Sequence, residues 1–138
     1  MAQKQTWGDT AGGDFTFLST DGEVLIFVVV AEPIVFAGKF KGKDQERIGI
    51  PVVTDEGFML FITGKRLARK ISKYELQFET RAFMAIRHGA EGDINATYEL
   101  KLLDDTEKTK HLLELKKTEY SEEALQEAIN SAAELIEK

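Results

Sequence analysis

The chain has 138 residues, 18 basic and 24 acidic, a formal net charge of −6 and 43% hydrophobic content. That suits one folded domain with a real core. The absence of cysteine removes disulfides, thiol nucleophiles and thiolate metal sites. His88 and His111 lack the spacing of a metal-ligating pair, so no metal, cofactor or enzymatic chemistry is expected.

In chain order, the opening "MAQKQTWGDTAGGD" lacks the apolar core of a signal peptide. "EVLIFVVV" is an apolar run that fits a buried strand and is far too short to cross a bilayer. No membrane partner is expected, and the expected compartment is the cytoplasm, that of the host if the chain is viral. "IVFAGKF" and "RIGIPVV" read as two strands joined by the polar "KGKDQE". Gly38 would permit a bulge, and Pro51 places the second strand at an edge or a bulge. "FMLFI" follows the turn "TDEG" as a further strand.

"KRLARKISKY" then changes period: Leu67, Ile71 and Tyr74 fall at helical spacing among basic residues. "TGKR" just before it lacks the upstream glycine and the Ser/Thr of a phosphate-binding loop. "LQFETRAFMAIR" and "NATYELKLL" return to strand composition around the loop "HGAEGDI". Strands, one short helix and a closing strand pair predict a mainly β fold. The specific expectation is a five-stranded Greek-key OB-fold barrel over residues 1–103, with the helix between strands 3 and 4; a different small barrel or a sandwich would give a similar string.

Residues 104–138 form an acidic segment ending in an amphipathic helix. Ser121 is its N-cap, Glu122 and Glu123 suit the first turn, and Tyr120 with Leu125 suits a hydrophobic staple. Leu125, Ile129, Ala132 and Ile136 make an apolar stripe, widened by Ala128 and Leu135. It packs on its own domain, on a second copy in a homodimer, or on a protein partner. "DDTEKTKHLLELKKTE" fits either a strand or a helix.

Charge is unevenly divided. Residues 104–138 hold ten acids and five bases, whereas Ile34 to His88 hold eleven bases and six acids. A basic middle in an acidic chain is an electrostatic footprint for a polyanion. Alternation puts Ile34, Phe36 and Phe40 on one face of their strand, so each phenylalanine is either core or a surface ring beside the lysines. Rings beside cations suit single strands: bases stack while Lys and Arg follow the phosphates. Candidate stacking residues are Phe36, Phe40, Phe61 and Tyr98. Candidate phosphate contacts are Lys39, Lys41, Lys43, Arg47, Arg66, Arg69 and Arg87.

The segment "WGD…FTFLSTDGEVLIFVVVAEPIVFAGKFKGKDQERIGIPVV" resembles the N-terminal half of phage- and virus-encoded OB-fold single-stranded DNA-binding proteins. The matching residues are Trp7, Asp21-Gly22-Glu23, Glu32-Pro33, Phe36, Phe40, Lys41, Gly42, Lys43 and Arg47. "LFITGKRLARKI" resembles the family's strand-then-helix step, and "FMAIRHGAEGDINATYELKLL" its closing hairpin. The zinc element of some members has no counterpart here, and an acidic helix replaces the tail that ends in an aromatic residue. The resemblance implies non-catalytic, sequence-tolerant binding and protection of single-stranded DNA in replication or recombination. RNA binding by the same barrel, and a protein adaptor using the barrel edge and the C-terminal helix, are the rivals.

Overall fold

The computed structural model describes residues 15–40, 43–93 and 95–135, and the side chains of these except 39–40, 43–45 and 134–135. In chain order the strands are β1 (Phe15–Thr16), β2 (Val24–Val29), β3 (Ile34–Phe40), β4 (Lys43–Thr54) and β5 (Gly57–Thr63). Helix α1 (Lys65–Ser72) and a 3-10 turn (Glu75–Gln77) precede β6 (Phe83–His88) and β7 (Thr97–Leu102). Helices α2 (Thr106–Glu119) and α3 (Glu122–Leu135) follow.

The fold is mainly β, but it is a seven-stranded open sheet rather than a closed five-stranded barrel. Its path is β1-β5-β4-β2-β6-β7, with β3 paired to β4 as well. Two local features account for the difference. The break at residues 30–33 separates β2 from β3, which pair with different halves of β4. The second edge of β5 is taken by β1, a parallel bridge of Phe15 to Leu60 and Thr16 to Phe61. Among the described strands β7 pairs with β6 alone.

Pro51 lies inside β4, neither at an edge nor in a bulge. Its partner on β5 is Leu60, and its carbonyl accepts from Val30 N at 3.0 Å. The β3 ladder ends at Gly49 and the β2 ladder begins at Val52. The missing N–H of proline thus falls in the gap between two partners, where no ladder bond is lost. Gly38 makes no bulge either. The β3–β4 register runs without an extra residue from Ile34↔Gly49 to Phe40↔Lys43.

The centre of the sheet is buried on both faces, which is why β5 is apolar or small throughout and buried at every position. The inner core gathers Phe27, Val29, Ile50, Val52, Phe61 and Phe83, capped by Leu67 and Ile71 of α1. The outer core gathers Val28, Phe36, Val53, Phe58, Leu60 and Ile62 beneath Leu112 of α2 and Ala128 and Ala132 of α3.

The segment that fitted strand or helix is α2, N-capped by Asp105, whose carboxylate accepts from Lys108 N at 3.0 Å. Ser121 Oγ accepts from Ala124 N at 3.1 Å as the expected cap of α3. Tyr120 packs its ring 5.2 Å from that of Phe58. The apolar stripe of α3 packs on its own sheet, with Ala128 and Ala132 each 1% exposed. Leu135 and Ile136 lie outside the described side chains.

Candidate nucleic-acid interface

β4 is longer than its neighbour β5, and this difference builds the first part of the site. β5 reaches only as far as Ile48, its Thr63 partner. Residues Lys43–Arg47 pair with β3 alone, so the β3–β4 hairpin continues as a two-stranded arm. The polar stretch "KDQE", expected as loop, is strand because β3 supplies the missing backbone partners. Lys39, Phe40 and Lys43 are on this arm by their backbones, but their side chains lie outside the described residues, as does Lys41 altogether. Arg47 is partly exposed at the base of the arm, with Nη1 donating to Glu46 O at 3.3 Å.

α1 supplies the second part. Its apolar residues Leu67 and Ile71 are 1% and 2% exposed, which turns Arg66, Arg69, Lys70 and Lys73 outward as an exposed basic row. Lys65 is tied to Glu46 of the arm at 2.7 Å. Lys70 Nζ donates to Tyr98 O at the start of β7, also at 2.7 Å. The helix thus links the arm to β7. Lys70 and Lys73 were not among the candidates, although each stands four residues after one, Lys70 after Arg66 and Lys73 after Arg69, a spacing that puts them on the same helix face.

Three candidates prove to be interior groups. Phe61 is 0% exposed, with its ring 5.7 Å from Phe27; alternation along β5 sends it into the inner core. Phe36 is 8% exposed in the outer core, because α2 and α3 cover the face of the sheet on which it sits. Neither ring is placed to receive a base. Arg87 is also only 8% exposed. Its guanidinium donates to the carbonyls of Gly89 at 2.9 Å and Ala90 at 2.7 Å, and to the Tyr98 hydroxyl at 2.9 Å.

Tyr98 is partly exposed and lies between Arg87 and Lys70, with the Arg87 cation 5.8 Å from its ring centroid. Glu23 completes this end. Its carboxylate accepts from Ser19 N at 2.8 Å and Thr20 N at 3.2 Å. The Ser19 bond foremost, with smaller help from Thr20 and the Arg87 charge, holds the Glu23 carboxyl below its ordinary range. Glu99 is likewise lowered, by its bond to His88 first and to Lys101 second.

The site therefore comprises the arm, the basic row of α1 and Tyr98. Its exposed cations lie on and at the end of α1, and one of them, Lys70, bonds the backbone carbonyl of Tyr98. Among the described residues no group of three His, Asp or Glu side chains is placed to hold a metal ion, and no helix is long and apolar enough to cross a membrane. No family model, curated protein or solved structure matches the chain, so its family is not shown and the reading of the site rests on this geometry.

Proposed function

We propose that the chain binds single-stranded nucleic acid without catalysis, with single-stranded DNA as the first ligand to test and RNA as the second. The observation that carries the reading is the exposed basic row of Arg66, Arg69 and Lys70 on α1 with Lys73 at its C-cap, tied to β7 by the 2.7 Å bond from Lys70 to the backbone carbonyl of Tyr98. Exposed cations follow phosphates, and a partly exposed aromatic ring accepts any base. The strand path lends support to an OB-like plan: β2–β3, β4 and β5 as a meander, α1 next, and a final hairpin whose β6 returns to β2. Sequence tolerance follows from stacking without base-edge readout, and protection of single strands in replication or recombination is the role that the sequence resemblance implies.

The test is a fluorescence titration with oligo-dT at several salt concentrations, using Trp7 and the tyrosines, repeated with oligo-U. Affinity that falls with salt supports the reading, and preference for one polymer identifies the ligand.

A protein-binding role is the second reading, and one observation favours it. An apolar groove of about 390 Å³ is floored by Val29, Ile50, Ile71 and Phe78 and includes Glu32, Glu75 and Glu79 in its lining. Leu76, beside it in sequence, is 99% exposed. No retention of any oligonucleotide at low salt would turn the assignment to this groove.

A further inference from the structure

An arginine that is only 8% exposed keeps its charge at tolerable cost only when its fork is satisfied. Arg87 achieves this with all three guanidinium nitrogens: Nε to Gly89 O, Nη2 to Ala90 O and Nη1 to the Tyr98 hydroxyl. Its backbone is fixed as well, since Arg87 N donates to Glu23 O at 2.9 Å and Gly22 N donates to Arg87 O at 2.8 Å. The loop that follows is pinned at its neck. Gly89 N donates to Asp21 Oδ1 at 2.9 Å. Gly89 has φ +136°, and a Cβ there would lie 2.7 Å from Ala96 Cβ.

We infer that Arg87 is a positioning residue of the proposed interface, not a phosphate contact: it fixes the Tyr98 ring and the neck of the following loop at Gly89 and Ala90. The inference rests on the single-strand reading. Its physical content is preorganisation. A ring already held between Arg87 and the Lys70-bonded backbone loses little freedom when a base stacks on it. A lysine at this position keeps the charge but cannot reproduce a planar three-way fork.

The experiment measures oligo-dT affinity across a salt series for wild type, Arg87→Lys, Arg87→Gln, Tyr98→Ala and Arg87→Gln/Tyr98→Ala. Each variant is also followed by thermal melting and by amide exchange at Gly89 and Ala96. Both Arg87 variants should weaken binding by about tenfold, the scale of one stacked base, with the salt slope of wild type. The double variant should bind no worse than Tyr98→Ala, since the two residues act as one unit. Exchange at the loop neck should accelerate in the free protein, and Arg87→Lys carries the comparison if Arg87→Gln does not fold. A slope smaller by about 0.7 in Arg87→Gln, restored by Arg87→Lys, would make Arg87 a phosphate contact and overturn the inference, as would wild-type affinity in both. If wild type binds no oligo-dT, the interface reading falls; faster exchange in the variants would then still show Arg87 as the clamp of this loop.

Discussion

The ring of Phe36 lies over the backbone of Gly49, so closely that a Cβ at residue 49 would come 2.8 Å from Phe36 Cε2. Glycine is therefore required at 49 by the neighbouring strand, and the phenylalanine is a packing residue of the outer core. Gly49→Ala should destabilise the fold by about 1–3 kcal/mol through overpacking, and Phe36→Ala by about 3–5 kcal/mol through the cavity it leaves. Denaturant titration measures both. A Phe36→Ala chain that stays fully stable but loses oligonucleotide binding would restore the ring to the interface.

Arg66, Arg69 and Lys73 are exposed on α1 and are the residues expected to meet phosphates. Replacing any one by glutamine should weaken oligo-dT binding and reduce the salt slope by about 0.7, while the melting temperature stays within a degree or two of wild type because surface changes of this kind cost under about 0.5 kcal/mol. Unchanged affinity in the triple variant would remove α1 from the site.

Phe40 ends β3 on the arm beyond the reach of β5. A stacking role, proposed for it, predicts that Phe40→Ala weakens binding by about 1–3 kcal/mol with little change in melting temperature. A large drop in melting temperature with normal binding by the folded fraction would place the ring in a packing role instead.

α3 spends its apolar stripe on the sheet, where Ala128 and Ala132 are small because the helix lies close to β5. Ala132→Leu should cost about 1–3 kcal/mol. A chain ending at Glu119 would uncover the outer face around Phe58, Leu60 and Ile62, so it should melt earlier and scatter light. A truncated chain that stays monomeric with wild-type stability would show that the helix is not needed as a cover.

Glu23 gives the acid side of the stability profile. Its carboxyl is held below the ordinary range in the folded chain, so its contribution is present above the unfolded value of roughly 4.3. It is lost as pH falls through the lower folded value. Glu23→Gln should therefore be less stable than wild type near neutrality and should flatten the decline at low pH. Parallel curves for the two proteins would assign that decline to other carboxylates.

The strands around Val24–Val29, Gly57–Thr63 and Phe83–His88, the helix over Leu67 and Ile71, and the cap at Ser121 were legible in the sequence. Each follows from local period or capping chemistry within one short segment. The basic character of the middle of the chain was legible in the same way. What the sequence left open was which face each side chain would meet. Alternation assigns Phe36 to a face of β3, but only the packing of α2 and α3 decides that this face is interior. Phe61 and Arg87 look available as residue types, yet Phe61 is buried against Phe27, far away in the chain, and Arg87 is satisfied by a loop that turns back on it at Gly89 and Ala90 and by Tyr98 on the next strand. Pro51 argued for an edge because it lacks a donor, and only the hand-over from β3 to β2 provides an interior position where no donor is missed. Local pattern determines the elements, because it depends on neighbours a few residues away. Tertiary contact decides which rings and charges remain to meet a ligand, because burial depends on residues that the chain brings together only when it folds.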